Sequence, residues 1–538
     1  MRTLLVLASS LVAWALVGAQ AGPDLVLVNG RVFTGVRSSP WVEALSISGE
    51  LITATGNTGR IRSLATRRTR VIDVEGRLVV PGFNDAHTHP GTMPSGVTLE
   101  GPPAIERDPT FAEVLERLKA ALAGAPAGGW IYGEIGSTVL DDPNATRFAL
   151  DPIAPDRLVV LHAWTGHGTL VNTAVLRRLG IRDDEPDPPG GFYQRMPGAA
   201  TLSGVAHEYA GYRLHQRIAL EAPPEAQVEA FRRFAAEAAG FGITSVQAMM
   251  TATPVDRALE LLAKEDLPIR MRLIDFPLVS PLEWQPAGKR GGTPAKVTVS
   301  GTKWVLDGTP VERLMWVREP YVDARTRGRP NMTASALTQF LARARTAGEQ
   351  PMVHAVGDAA IDAVLDALER SGGEAWRSLR PRIEHGDLLE ADQFQRAVKS
   401  GVTLVQNPSH FMIAALLRAR LGEARAARVQ AVKSSLAAGV PLAIGSDGPL
   451  NPFLNLMFAT AHAANPSEAL SLEQALVAYT HGSAYAERQE KTKGTLAAGM
   501  LADLAVLSQD VFQVPAETWP ATTSVLTVVG GRIVHEVN

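Results

Sequence analysis

Residues 78–89 read LVVPGFNDAHTH, an apolar run that ends in two histidines separated by one residue. A short apolar run bounded by turn residues predicts a buried strand. Because alternate residues of a strand point to the same face, His87 and His89 can direct both imidazoles to one point at the strand end. A His-x-His pair of this kind is a natural site for a divalent metal of the zinc type.

Further apolar segments along the chain also predict strands, and helix-like stretches lie between most of them. They are residues 243–249, 268–276, 302–308, 350–357, 381–386, 402–408 and 441–447. Strands that alternate with helices favour a parallel α/β arrangement, and eight such units predict a (β/α)8 TIM barrel. We expect this barrel over residues 81–490.

A long segment separates the first two predicted strands. Residues 91–225 are too many for a structureless loop, and they contain their own predicted helix, FAEVLERLKAALAG, and strand, WIYGEIG. We therefore expect an inserted subdomain over residues 91–225, beside the end of the first strand where barrel active sites lie.

Both chain ends read as short strands with turns between them. Asn29-Gly30 and Gly530-Gly531 each stand between two apolar runs, a pattern that predicts β-hairpins. We expect one small β domain built from residues 22–80 and 491–538.

Residues 1–21 have the pattern of a secretory signal peptide. Arg2 precedes an apolar run from Leu4 to Val17, which is short for a membrane span, and Ala19-Gln20-Ala21 is a small-x-small cleavage site. An uncleaved membrane anchor is the alternative. We expect an exported protein, periplasmic or secreted, with no membrane attachment after cleavage.

Composition and charge exclude several classes of protein. Hydrophobic residues make up 46% of the 538 residues, which predicts a globular chain. Lys and Arg total 52 and Asp and Glu 55, which gives a net charge of −3. The sequence therefore has no excess of basic residues that would indicate nucleic-acid binding. Cysteine is absent, so any metal is held by histidine, carboxylate or a modified side chain. Monomer and homodimer both remain open.

More metal-type residues stand at the ends of other predicted strands. His354 ends the fifth strand, His385 the sixth and Asp447 the eighth, and Lys303 lies in the fourth. Packing needs do not account for such clustering at one end of a barrel. The alternatives are hydrogen-bonded core histidines and, for Asp447, a cap on the following turn.

Several motifs in order carry a resemblance to a known family. PGFNDAHTHP, VHAVGD, RIEHGD, AIGSDGP and GTLAAGMLADLAVL resemble the amidohydrolase superfamily, in particular amidohydrolase family 3, the branch that includes N-substituted formamide deformylase. The resemblance covers essentially all of the mature chain. It implies a metal centre held by His87, His89, His354, His385 and Asp447. GTKWVLDG is similar to the family's Gly-x-Lys motif, so Lys303 would be a carboxylated lysine that bridges two metals. The alternative is a lysine that extends its ammonium group to solvent.

The predicted insertion carries a second group of candidates. WTGHGTLVN resembles a family stretch, and His167 and Asn172 match it. Thr165 departs from it, because an acidic residue is usual at that position. Glu208 matches a Gly-x-x-x-Glu motif, and Gln247 stands where a histidine is often found. His167 either binds a substrate carbonyl or packs within a loop. Five further aromatic residues could line a pocket or could simply pack in the core or at the surface: Trp164, Tyr193, Trp316, Tyr321 and His410.

These residues predict an exported metal-dependent hydrolase of a small molecule with a non-peptide, amide-like C–N bond. The expected cofactor is zinc, one or two ions, and Asp447 is the expected base for an activated water. The same centre could cleave an ester or lactone. Another alternative is a catalytically weak homologue that binds or regulates a small molecule. Structural roles are expected for Glu384, on the strand face opposite His385, and turn or ligand-orienting roles for Asp307 and Asp358.

Overall fold

The computed structural model describes residues 22–286 and 295–537. The predicted signal peptide, residues 1–21, lies outside the described residues. No helix within these two ranges is long and apolar enough to span a membrane.

The strands of the described residues are, in chain order, β1 Leu25–Val28, β2 Arg31–Phe33, β3 Trp41–Val42, β4 Ala44–Ser48, β5 Leu51–Gly56, β6 Arg70–Asp73, β7 Leu78–Pro81, β8 Phe83–Thr88, β9 Gly96–Thr98, β10 Trp130–Ile135, β11 Leu158–Ala163, β12 Gly168–Val171, β13 Gly191–Arg195, β14 Leu202–Glu208, β15 Ile243–Met249, β16 Arg270–Asp275, β17 Val297–Val305, β18 Pro351–Ala355, β19 Arg382–His385, β20 Thr403–Gln406, β21 Leu442–Ile444, β22 Leu504–Leu507, β23 Ser524–Val529 and β24 Arg532–Glu536.

The α-helices of the same residues are α1 Thr58–Arg62, α2 Phe111–Ala121, α3 Ser137–Leu140, α4 Arg147–Leu150, α5 Thr173–Arg178, α6 Tyr209–Ala219, α7 Pro224–Gly240, α8 Val255–Leu262, α9 Ala334–Ala347, α10 Asp358–Ser371, α11 Ala391–Ser400, α12 Ala414–Leu421, α13 Glu423–Ala426, α14 Val432–Ala437, α15 Pro452–Ala461, α16 Leu472–Val477 and α17 Ser483–Ala486. Short 3-10 helices lie at Gly373–Ser378, Pro408–Ile413, Pro466–Glu468 and Ala516–Ala521, and a π-helical turn at Ala478–Gly482.

Eight parallel strands form the barrel. Their order is β8, β15, β16, β17, β18, β19, β20 and β21, and each predicted strand segment overlaps one of them. The first and last strands approach closely, and the N–H of Asp447 donates to the carbonyl of His87 at 2.9 Å. A side chain at Gly445 would place its Cβ 2.3 Å from the His87 nitrogen, so only glycine fits at this contact. The predicted fold class is confirmed.

The segment predicted as one strand over residues 78–89 is in fact two. β7 belongs to a six-stranded sheet built from both chain ends, whereas β8 begins the barrel. The break lies at Gly82, where a Cβ would stand 2.2 Å from the Thr244 side chain. Close packing against the second barrel strand therefore fixes where the chain passes from one sheet to the other.

Both chain ends contribute to the sheets outside the barrel. The six-stranded sheet has the order β24, β23, β22, β7, β2 and β3, and a four-stranded sheet of order β5, β4, β1 and β6 lies in the N-terminal part. The Gly530-Gly531 hairpin is confirmed, since Val529 pairs with Arg532 and both glycines have positive φ. The Asn29-Gly30 hairpin is wrong: β1 and β2 join different sheets, and Asn29, at φ 57°, turns the chain between them.

A separate sheet lies between the first and second barrel strands in sequence. Its order is β13, β14, β12, β11, β10 and β9. Helix α2 begins with a capping box between Thr110 and Glu113, the chemistry that satisfies free N–H groups of a first turn. Helix α6 follows β14 directly, and its apolar side, including Leu214 and Ile218, packs on this sheet. The junction of β14 and α6 carries Glu208 towards the barrel mouth.

Candidate active site

A cavity of about 580 Å³ opens at the carboxyl ends of the barrel strands. Its wall brings together most of the residues that the sequence singles out. Those that line it are His87, His89, Trp164, His167, Lys303, His354, His385, His410 and Asp447. They come from barrel strands and from the inserted sheet, far apart in sequence, so the fold makes them neighbours.

The first group of close side chains is His87, His89 and Asp447. The Nε2 atoms of the two histidines are 3.2 Å apart, and Asp447 Oδ1 lies 3.1 Å from His89 Nε2 and 3.8 Å from His87 Nε2. His89 Nδ1 is within 3.0 Å of the Thr251 hydroxyl. Two imidazoles and a carboxylate with ligand atoms this close can hold a divalent metal.

The second group shares Asp447. Its Oδ2 atom lies 3.7 Å from His385 Nδ1 and 3.5 Å from His410 Nε2. The His354 ring stands 4.5 Å from the His385 ring, measured between centroids. His354 Nε2 is buried and has no hydrogen-bond partner within the described residues. An orphaned imidazole nitrogen beside this group is suited to a metal ligand role.

Unusual backbone angles bring two of these side chains into place. His385 has φ 69° and Asp447 has φ 38°, both in the left-handed region that non-glycine residues rarely adopt. Such strain persists only where surrounding structure enforces it, and it clusters at functional sites.

Glu384 contacts a histidine of the cluster, a partner that the sequence prediction of a structural role did not specify. Its Oε2 lies 2.6 Å from His87 Nδ1, and Arg382 donates to both of its carboxylate oxygens at 2.7 and 2.9 Å. Burial would raise the pKa of Glu384, but Arg382 and His87 outweigh burial and lower that pKa to about 2. Glu384 is therefore an anion that holds the His87 ring.

Lys303 lies inside the same cluster. It is 2% exposed, and its Nζ is 3.4 Å from His87 Nε2. Burial lowers the pKa of Lys303 to about 8, so a substantial fraction of the amine is neutral in mildly basic solution. A snorkelling lysine is wrong for this position, because the side chain is enclosed and does not reach solvent.

The protonation states of the site suit a divalent cation. Burial, followed by the positive charge of Lys303, lowers the pKa of His87 to about 4. Burial and neighbouring positive groups also hold the pKa values of His354 and His385 well below the usual value. Burial would raise the pKa of Asp447, but His87 and His89 outweigh it and keep that pKa well below its usual value. Neutral imidazoles and an ionised carboxylate are the forms that bind zinc.

His167 and Glu208 form a buried pair beside His354, whose ring centroid lies 4.6 Å from that of His167. His167 Nδ1 lies 3.0 Å from Glu208 Oε1, and Asn331 donates to Glu208 Oε2 at 2.9 Å. Burial alone would lower the pKa of His167, but the carboxylates of Glu208 and Glu312 raise it above the usual value. Glu208 itself stands behind His167 and is 1% exposed. His167 faces the cavity and is the member of the pair that can reach a ligand.

An acidic side chain from another loop, Glu312, lies next to Thr165, the position where related proteins carry an acidic residue. The Thr165 hydroxyl donates to Glu312 Oε1 at 2.5 Å, and Glu312 is also bound by the Thr309 hydroxyl. Glu312 lies in the segment after β17 and has no motif of its own, so the sequence did not reveal it. Tyr212, whose hydroxyl is 3.3 Å from His167 Nε2, was missed for the same reason.

The remaining predicted residues lie away from the cavity wall. Tyr193, Trp316 and Tyr321 are not among the described residues that line it. Asn172 caps helix α5 by accepting from the N–H of Val175 at 3.2 Å.

Two predicted aspartates bind backbone amides. Asp307 accepts from the N–H groups of Trp316, Val356 and Gly357 at 2.8 to 3.0 Å. Its Oδ1 is 3.9 Å from His354 Nε2. Asp358 accepts from Arg318 N at 2.8 Å. Both anchor loops next to the site.

Gln247 serves neither as a ligand nor as part of the wall. It is fully buried in β15, and its Oε1 accepts from Arg382 at 2.6 Å and from Arg272 at 3.3 Å. It links two buried guanidinium groups beneath the cavity.

Comparison with known proteins gives concordant matches. The family model described as the amidohydrolase family matches residues 70–535. The chain is 27% identical to the YtcJ protein of Bacillus subtilis (strain 168), over 94% of this chain and 98% of that protein. It is 28% identical to the N-substituted formamide deformylase of Arthrobacter pascens, over 90% and 94%. Among solved structures, an uncharacterized metal-dependent hydrolase from Pyrococcus furiosus is 25% identical, with a TM-score of 0.67 and coverage of 90% and 99%.

Proposed function

Because this chain belongs to the amidohydrolase family, we propose that it is a zinc-dependent hydrolase of a non-peptide, amide-like C–N bond in a small molecule. The observation that carries the proposal is the convergence of four imidazoles, Asp447 and Lys303 on one cavity. The deformylase from Arthrobacter pascens supports a nitrogen leaving group, since its name states that activity.

The residues that would hold the metal fit a divalent ion by their chemistry. Candidate ligands are His87, His89, Lys303 as its carbamate, His354, His385 and Asp447. A divalent ion there supplies Lewis-acid polarisation of a carbonyl and lowers the pKa of a water molecule. The orphaned His354 Nε2 and the lowered pKa of Lys303 support this set. The number of metal ions bound, one or two, depends on whether Lys303 is carboxylated.

Asp447 is the residue best placed to move protons. Its two oxygens lie between the His87/His89 pair and the His385/His410 pair, and the side chain is 19% exposed to the cavity. An ionised carboxylate at this position accepts a proton from the attacking water. The same carboxyl then returns the proton to the leaving nitrogen, which departs as a neutral amine.

His167 is the residue proposed to position the substrate. Glu208 fixes Nδ1, so Nε2 is left facing the cavity with Tyr212 beside it. A protonated imidazole held in this way donates a hydrogen bond to a carbonyl oxygen and stabilises the negative charge that develops during attack. Trp164 and His410 form adjacent parts of the wall.

A hydrolysis screen tests the proposal. Zinc-supplemented protein is incubated with N-formyl and N-acyl amines, and released amine is detected. The matching esters and lactones are included, together with a His87→Ala/His89→Ala variant as a metal-depleted control. Amine release that the variant lacks supports the proposal. Turnover of esters alone would replace the C–N assignment, and absence of all turnover would favour a binding or regulatory role.

Export is proposed from the composition of residues 1–21 alone. Cleavage after Ala21 would release a chain that begins at Gly22. N-terminal sequencing of protein recovered from the periplasm or medium tests this. Full-length protein retained in the cell membrane would indicate an anchor.

A further inference from the structure

The cavity extends beyond the metal-type residues, along helices α6 and α7. Helix α6 contributes Tyr212 and His215 to its wall, and helix α7 contributes Phe234 and Glu237. Because residues three apart share one face of a helix, each helix presents one face to the cavity. Together with Phe276, which follows β16, these four residues form the distal arm of the cavity.

The distal arm starts at His167, the residue proposed to bind the substrate carbonyl. The Tyr212 hydroxyl lies 3.3 Å from His167 Nε2. His215 follows Tyr212 by three residues, which is a rise of about 4.5 Å along the helix axis. Tyr212 and His215 thus line one continuous wall. A substrate whose carbonyl lies against His167 can extend a substituent along α6 as far as His215.

Aromatic rings line most of the distal arm. Phe276 is 4% exposed and meets Tyr212 edge-on, with 5.1 Å between the ring centroids. Phe234 is partly buried and packs on the hydrophobic core. Glu237 is exposed, so the arm reaches solvent on this side. Walls of this kind favour a flat apolar spacer and offer few groups that can hydrogen-bond a ligand.

His215 supplies an unpaired ring nitrogen to this arm. Its Nε2 lies 2.9 Å from the Thr169 hydroxyl, whereas its Nδ1 has no hydrogen-bond partner in the described part of the chain. The contact with Thr169 fixes the ring. Nδ1 is therefore the nitrogen that is available to a ligand in the cavity.

A second histidine stands behind His215. The ring of His162, on β11, meets the ring of His215 at right angles with 4.2 Å between centroids. Both nitrogens of His162 are buried and have no hydrogen-bond partner among residues 22–286 and 295–537. Burial lowers the pKa of His215 to about 4, and burial together with His215 holds the pKa of His162 well below its usual value. Both rings are therefore neutral near neutral pH, and a neutral imidazole suits a hydroxyl group, which both donates and accepts hydrogen bonds.

We propose that the distal arm is a second recognition site for the substrate, in which His215 Nδ1 hydrogen-bonds an uncharged hydroxyl group at the end of an apolar spacer. The spacer packs against Phe276 and Phe234, and the scissile C–N bond lies at the metal-type residues. This inference rests on the proposed hydrolase function, because it names the substrate class of the same cavity. It assigns specificity to a residue of the inserted segment that belongs to none of the sequence motifs.

The test compares substrates that differ only by one hydroxyl group. N-formyl derivatives of 4-hydroxybenzylamine, tyramine and 3-(4-hydroxyphenyl)propylamine are assayed beside the same compounds without the hydroxyl. A second series carries the same groups on the acyl side, as N-methylamides, because either end of a substrate can enter the arm. At one spacer length we expect the hydroxyl compound to have the higher kcat/KM by about three- to tenfold, the effect of one neutral hydrogen bond. No preference for the hydroxyl at any length in either series would overturn the proposal.

A pair of variants assigns the preference to His215. His215→Phe keeps a flat ring without nitrogen atoms, so the ratio of kcat/KM for the hydroxyl compound over its partner should fall to about one or below. His215→Asn keeps an amide near the position of Nδ1 and should retain part of the preference. His535→Phe, on β24 of the terminal sheet, is the matched control and should keep the wild-type ratio. An unchanged ratio in folded His215→Phe, checked by circular dichroism, would reject the role of His215.

Binding measurements separate this inference from the proposed reaction. Tyramine and phenethylamine, which carry the same charge, are titrated into zinc-loaded wild-type protein and His215→Phe by calorimetry. Tyramine should bind the wild-type protein about three- to tenfold more tightly, and the variant should lose this difference. Equal binding of the two amines to the wild-type protein would overturn the inference whether or not any amide is hydrolysed. If tyramine is preferred but no amide reacts, the C–N assignment fails and the distal arm stands.

Discussion

The Glu384 carboxylate accepts a hydrogen bond from His87 Nδ1 at 2.6 Å, and this contact fixes which nitrogen of His87 faces the cavity. Nε2 is left directed at His89 and Lys303, at 3.2 and 3.4 Å. A carboxylate behind a ligand histidine sets its tautomer and orientation and raises its basicity. Arg382, buried beside Glu384, holds the carboxylate in turn. The orientation of His87 therefore depends on a buried carboxylate, Glu384, and a buried guanidinium, Arg382, neither of which lines the cavity.

We expect Glu384→Gln to weaken metal binding by about 10- to 100-fold, the usual effect of losing such a partner. The change also leaves the Arg382 charge without its counter-ion, so the thermal midpoint should fall as well. Competition with a chelating dye measures the zinc affinity of the folded variant. Glu260→Gln, an exposed glutamate on α8, is the control. Unchanged zinc affinity in Glu384→Gln would contradict a positioning role.

Asp447→Asn should abolish turnover more than it weakens metal binding. The amide keeps the shape of the side chain and one oxygen, but it cannot accept a proton near neutral pH. A loss of about 100- to 10,000-fold in kcat is expected for removal of a general base. Kinetics and elemental analysis on the same sample separate the two effects. A near-wild-type kcat would point to another base, with Glu208 or His167 examined next.

Lys303→Ala should lose metal and activity if the lysine is carboxylated. Truncation leaves a space where the carbamate stood, next to His87 Nε2. Added acetate or propionate should partly restore both metal content and kcat/KM, because a short acid supplies two oxygens. A variant that keeps wild-type activity and ignores added acids would reject the bridging role. A single-metal centre on the histidines and Asp447 would then remain.

Metal loading should rise with pH through the pKa of Lys303. Carbamate formation requires the neutral amine, and burial lowers the pKa of Lys303 to about 8. The neutral fraction therefore falls about tenfold for each pH unit below that value. His87, with its pKa near 4, stays neutral over this range and does not mask the effect. Metal-free protein in bicarbonate with a zinc buffer should load more completely at about pH 9 than at about pH 6.5. Equal loading at both would argue against carboxylation.

Gln247→Ala should destabilise the fold without touching the cavity. Its Oε1 is a shared acceptor for Arg382 and Arg272, both buried. Loss of the acceptor leaves guanidinium N–H groups unpaired, at about 1–3 kcal/mol in the free energy of unfolding. Urea denaturation monitored by circular dichroism measures the change. Gln339→Ala, on the exposed face of α9, should change stability little. Equal stability of the two variants would mean that water replaces Gln247 without cost.

The sequence by itself determined the barrel and the identity of the candidate ligands. Apolar runs that alternate with helices predict parallel strands, and polar residues at strand ends must then share one rim. This local pattern predicts that one rim carries His87, His89, His354, His385 and Asp447. It also predicted the terminal hairpin at Gly530-Gly531, since paired glycines favour the required positive φ angles.

Only the tertiary structure decided the contacts that depend on backbone geometry and on distant loops. Strand alternation predicts only that Glu384 and His385 face different ways, whereas closure of the barrel places the Glu384 carboxylate 2.6 Å from His87 Nδ1. The split at Gly82 arose from packing against Thr244, which no local pattern records. Glu312 reaches Thr165 from the loop after β17, and Asp387 lines the cavity from the loop after β19. The sequence determines the chemistry of each side chain, whereas the distances between these groups are fixed only when the barrel closes and the loops pack around it.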